Sequence, residues 1–195
     1  MKAVSPKFVI ALLLVVAFVV YVKLSNPNKK YSTEGYWLTA SVADVDSIPQ
    51  EALEPGNRNG GVLMWASMVV DDPDILSALV GRGADVNESD AFFGGTPLSA
   101  AAASTTRPAV IDRLVELGAE IDKVVGSNNK TPLIIAAELN PNPIIIKRLV
   151  HHGADTHYKD LTGRNALEQA IRFSNNSVVV LLKDYMNPLL SHERE

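Results

Sequence analysis

Apolar residues in this chain fall in stripes spaced i, i+1, i+4, i+5. The first holds Ile75, Leu76, Leu79 and Val80. The next holds Val110, Ile111, Leu114 and Val115, and the third Ile145, Ile146, Leu149 and Val150. Such a stripe is the buried face of a helix. A proline opens each one (Pro73, Pro108, Pro143), and Pro suits a first helical turn. A glycine closes each one (Gly83, Gly118, Gly153), which suits a left-handed C-terminal cap. Shorter apolar segments carry a Leu-x-x-Ala pair: Leu63 with Ala66, Leu98 with Ala101, Leu133 with Ala136, Leu167 with Ala170. Residues three apart share one helix face. The prolines and glycines recur every thirty-five residues. A period of this size predicts an all-α solenoid of about four helix-turn-helix repeats, in which neighbouring repeats bury each other's stripes. Polar stretches at 87–95, 122–130 and 156–163 read as finger loops between repeats.

Two copies begin Thr-Pro-Leu: Thr96-Pro97-Leu98-Ser99-Ala100-Ala101-Ala102 and Thr131-Pro132-Leu133-Ile134-Ile135-Ala136-Ala137. With Gly83-Ala84-Asp85-Val86-Asn87, Gly118-Ala119-Glu120 and Gly153-Ala154-Asp155, the pattern resembles the ankyrin repeat over 61–187, roughly two thirds of the chain. The first copy has Gly61-Val62 and the fourth Asn165-Ala166 where Thr-Pro is expected. The fourth lacks Gly-Ala-Asp, as a carboxyl cap would. Ser99 and Ile134 stand where the family carries a structural histidine, and the period exceeds the family's thirty-three. The resemblance implies a protein-binding module without chemistry, working through a concave face of first helices and finger tips. Among bacterial ankyrin proteins of this size, it implies an immunity protein or an accessory subunit of an envelope enzyme.

Residues 1–24 read as a signal-anchor or transmembrane segment. The run 8–22 is apolar throughout, with Lys2 and Lys7 before it and Lys23 after. Fifteen residues at about 1.5 Å each fall short of a core of about 30 Å, and snorkelling lysines make up part of the difference. Val20 to Leu24 offers no small residues for cleavage. The expectation is therefore an uncleaved single-pass anchor with the carboxyl side translocated, periplasmic in a bacterium. A cleaved signal and a soluble periplasmic protein form the alternative. Residues 25–36 read as a linker and 37–60 as an N-terminal capping segment. The repeat domain is expected over 61–190.

Charge changes the picture in one half. Residues 31–90 hold eleven acidic residues against Arg58 and Arg82, whereas 91–195 hold eleven of each sign. This predicts a partner protein with a basic surface and argues against nucleic acid. The chain has no cysteine, hence no disulfide or thiolate site. Neighbouring His151 and His152 point about 100° apart on a helix, and His157 adds no ligand set. No Gly-x-Ser-x-Gly motif or phosphate loop occurs. No enzyme activity, metal, cofactor or small-molecule substrate is expected.

Candidate contacts lie on the fingers. The first offers Glu88, Asp90, Phe92 and Phe93. Adjacent aromatics on an extended segment face opposite ways, so one packs beneath while the other is a partner anchor or a plain surface residue. The second offers Asn128 and Asn129, and the third Tyr158, Lys159 and Arg164. Met64 and Trp65 lie on the first helix of repeat one, and Trp65 is expected in the core between the cap and repeat two. The run 178–182 is apolar on every side. Either Leu189 and Leu190 cover it, or it forms a second interface. That surface belongs to an alternative reading, a membrane-associated scaffold gathering several proteins.

Overall fold

Prolines and short polar side chains start most of the helices in this computed structural model, which describes residues 30–31, 33–54, 61–89, 94–173 and 175–187. The expected anchor, together with Arg58, Asp90, Phe92, Phe93, Leu189 and Leu190, lies outside the described residues. Among them are eleven helices, no strand and one isolated antiparallel bridge between Val125 and Lys130. None of these helices is long and apolar enough to cross a membrane.

Three short helices lead in: α1 Glu34–Trp37, α2 Val42–Val45 and α3 Gln50–Leu53. Four helix pairs follow. The first helices are α4 Val62–Val69, α6 Pro97–Ser104, α8 Pro132–Leu139 and α10 Ala166–Arg172. The second helices are α5 Asp74–Gly81, α7 Pro108–Glu116, α9 Pro143–His151 and α11 Asn176–Met186. The first helices pack in one row and the second helices in another.

Local chemistry accounts for the helix ends. Thr96 accepts a hydrogen bond from the Ser99 N–H, and the Ser99 hydroxyl accepts one from the Thr96 N–H. Asn165 and Glu168 form the same reciprocal box on α10. Thr131 and Asn142 cap α8 and α9. At the far end of α7, Gly118 has φ +97°. Its N–H reaches the Val115 carbonyl, and the Ala119 N–H reaches the Leu114 carbonyl. This is a glycine-closed helix end. The same pair of bonds closes α5 and α9.

The predicted stripes are the core. Ile75, Leu76, Leu79, Val110, Ile111, Leu114, Ile145, Ile146 and Leu149 are buried, as are Ala66, Ala101, Ala136 and Ala170. Alanine at that last set lets neighbouring first helices approach closely. Amide side chains then tie the repeats together. Asn140 donates to the carbonyls of Ala102 and Thr105 at 3.1 and 2.9 Å, and Asn175 donates to the Asn140 carbonyl at 2.9 Å.

The cap covers the start of the stack. Helices α1 and α3 lie on α4, and α2 lies on α5. Arg82 donates to the Val45 carbonyl, and Gln50 donates to the Arg82 carbonyl. Packing begins earlier than residue 37. Tyr31 and Trp37 are buried, and the Trp37 indole N–H donates to the Tyr31 carbonyl at 2.7 Å. The Tyr36 ring meets both edge-on. The expected linker therefore gives its last residues to the cap, because these aromatic rings find apolar cover there. At the opposite end, Val178 and Leu182 of α11 are buried while Val180, Ile171 and Phe173 are exposed.

Candidate concave binding site

The inner row of helices builds a hollow by repetition. Trp65, Ala100 and Ile135 occupy one position in three successive repeats, and Met68, Ala103 and Glu138 occupy the position one turn on. The middle repeat carries the small residue at both. A hollow of about 510 Å³ results. Its floor is Gly95, Ala100 and Ala103, and its walls are Met64, Trp65 and Met68 on one side and Ile135 and Leu139 on the other. The second finger closes the rim with Val125, Gly126, Ser127 and Asn128.

In repeat three the corresponding space is filled by charge. Lys130 and Glu138 stand where repeat two has Gly95 and Ala103. The Lys130 ammonium donates to both Glu138 oxygens, at 2.8 and 2.7 Å. The Glu138 side chain is only 6% exposed, so the pair is held in a low-dielectric corner where each charge needs the other. Inside the hollow the Ser99 hydroxyl already donates to the Thr96 carbonyl. Ser99 and Lys130 are thus both committed to partners within the chain.

The predicted contact residues are dispersed. Asn128 lines the rim of the hollow. Asn129 is exposed in the finger turn at φ +51°. Glu88 is half-buried, with its carboxylate beside Gly61 at the start of α4. Tyr158 packs half-buried against the core. Lys159 lies 3.8 Å from Glu168, and Arg164 donates to the Thr162 hydroxyl. The Leu161 N–H donates to the Asn128 carbonyl, joining the second and third fingers. Asp90, Phe92 and Phe93 lie outside the described residues.

Trp65 departs from the expected core position. It is half-buried and lines the hollow, because the residue facing it on α6 is Ala100, too small to cover an indole. Beneath the third finger Asp160 is buried. Burial pushes its carboxyl pKa up, but hydrogen bonds from Thr162, Arg164 and Gln169 prevail and hold it at about 2. His152 pairs with Asp112 at 2.8 Å on the outer row. Among the described residues no cluster of His, Cys, Asp or Glu could hold a metal. Asn87-Glu88-Ser89 and Asn175-Asn176-Ser177 match the Asn-x-Ser glycosylation pattern, and both amides are engaged. Asn87 donates to the Gly118 carbonyl and Asn175 to that of Asn140.

A family model described as ankyrin repeats (3 copies) matches residues 63–160 and 107–191. The chain belongs to the ankyrin-repeat family. A search of curated proteins finds no match. Ankyrin repeats suggest a protein-binding module, and the family is in general a non-catalytic interaction scaffold. In this ankyrin stack the hollow lies on the first helices and one finger, a surface presented by rigid elements. Of the contacts expected on the fingers, only Asn128 lines it among the described residues. The signal was present as the thirty-five-residue row Trp65, Ala100, Ile135, in which a small residue sits between two large ones.

Proposed function

We propose that this chain is a membrane-tethered binding protein, an inhibitor or immunity protein or an accessory subunit, that holds one partner protein on its concave face. The hollow is the observation that carries this reading. It is apolar, open to solvent and framed by rigid helices, as binding sites are. The excess of acidic residues over 31–90 favours a partner with a basic surface. Asp71 and Asp74 are already engaged by Arg107 and Arg113, so the exposed Asp46, Glu51, Glu54 and Asp85 supply that attraction. The apolar run at 8–22 supports tethering, with the stack on the periplasmic side in a bacterium.

The experiment is capture from native cells with a carboxyl-terminal tag, cross-linked before detergent extraction. One dominant partner with a basic surface is expected, together with a bait whose intact mass retains residues 1–24. A bait cleaved near residue 24 replaces the tether with a secreted form. Several partners at equal yield favour the scaffold reading, in which exposed Ile171, Phe173 and Val180 form a second contact surface. A cross-linked bait with no partner under any growth condition refutes both.

A further inference from the structure

The hollow selects among occupants by size, lining and charge. We infer that it receives the bulky apolar side chains of a short amphipathic helix on the partner, with lysine or arginine on the flanks of that helix. This rests on the reading of the concave face as a protein-binding surface.

Size and lining come first. About 510 Å³ exceeds any packing defect and lies in the range of true ligand sites. Met64 and Met68 adapt to the shape of an incoming side chain, and Trp65 offers a broad apolar face. A small polar ligand would need convergent polar groups. Instead, the Ser99 hydroxyl is engaged by Thr96 and Lys130 by Glu138, which leaves polar side chains only on the finger rim, at Ser127 and Asn128.

Backbone chemistry then separates a helix from an extended peptide. An extended segment must find partners for its own N–H and C=O groups. Apart from Gly95, the floor and walls are helices with their backbone bonds made internally. On the finger, Val125 and Lys130 pair with each other. Among the described residues no strand edge is offered, so an occupant that satisfies its own backbone is favoured, as in helix-in-groove recognition. Residues four apart on such a helix point the same way and enter the hollow together.

Charge completes the selection. Asp85 is exposed at the base of the first finger, and Asp46, Glu51 and Glu54 are exposed on the cap beside repeat one. Basic flanks meet these carboxylates, whereas an anionic lipid surface is repelled.

The test uses the full-length chain in detergent and three labelled synthetic helical peptides. One carries Leu and Phe at i and i+4 with lysine flanks. The second has Ala at both anchors, and the third has glutamate flanks. The first is expected to bind at least about tenfold more tightly than the second, the size of a hot-spot truncation. It should bind several-fold more tightly than the third. Ala103→Leu and Ala100→Met, which fill the hollow, should each weaken the first peptide about tenfold. Ile144→Ala on the outer row of helices should leave it unchanged.

The tryptophans give a readout that needs no variant. The chain has two, and Trp37 is buried under the cap, so a blue shift on binding reports Trp65. Equal affinity of the alanine and apolar peptides, unchanged binding to both filled variants, or a silent Trp65 overturns the inference. If Ala103→Leu still captures the cellular partner at full yield, protein binding stands and the hollow is not its seat. If neither partner nor peptide is held, the protein-binding reading falls with it.

Discussion

Asn87 and Asp122 occupy the same place in successive repeats, and one atom separates their behaviour. The Asn87 amide donates to the Gly118 carbonyl at 2.9 Å and accepts from the Glu120 N–H at 2.8 Å. The Asp122 carboxylate accepts from the Asp155 N–H at 3.1 Å and, once ionised, has nothing to donate. Burial raises the Asp122 pKa. The Asp155 N–H pulls it back and the Asp155 charge raises it again, for a net rise. A raised carboxyl contributes stability below the ordinary value of 3.8 and loses it as pH rises through the folded value. Asp122→Asn should therefore stabilise the fold at neutral pH by about 0.5–1.5 kcal/mol, with the gain vanishing in acid, as read by urea melts at both pH values. Asp160 behaves oppositely. Its depressed carboxyl contributes stability above 3.8 that is lost as pH falls toward about 2. Asp160→Ala strips the Gln169 amide N–H of its acceptor, beside a Gln169 Oε1 that already lacks a partner. It should cost about 1–3 kcal/mol at neutral pH in a thermal melt, and less as the pH falls through the acid range.

Helices of eight or nine residues are too short to persist alone, so their ends and their neighbours decide whether they form. Thr96 is buried, and its side chain and backbone both bond to Ser99. Thr96→Ala should cost about 1 kcal/mol, seen as an earlier denaturation midpoint with an unchanged slope. These caps were legible in the residue order, since Thr-Pro-Leu at a helix start states its own geometry. The lead-in helices were less so. The four residues of α1 are too few to show a periodicity, and they are held because the helix lies on α4 with Trp37 buried.

Across the whole molecule, stability passes from neighbour to neighbour, and the first repeat depends on its cap. Trp37 is fully buried there. Trp37→Ala should cost about 3–5 kcal/mol and expose α4 first, which hydrogen exchange would show as loss of protection over 62–69 before 132–139. The other end has no such cover among the described residues, and Ile171, Phe173 and Val180 remain open to solvent. Partner binding belongs to this scale as well. If the acidic first half attracts the partner, association should slow as ionic strength rises while dissociation changes little, a result that stopped-flow mixing would give directly.

Residue order by itself determined the repeat, its helix pairs, the glycine-closed ends and the buried stripes. Each is written within one repeat by periodicity and local hydrogen bonding. It also carried the charge asymmetry, which is a count. Tertiary structure decided the rest. A hollow exists only where the side chain of one helix meets that of the next, so Trp65 faces Ala100 and lines a cavity instead of filling the core. The Lys130–Glu138 pair likewise forms across eight residues, from just before the start of α8 to its last turn. Tyr31 and Tyr36 read as linker until a neighbouring helix offered them cover. Local pattern names a residue's own element, whereas packing depends on what the facing element brings.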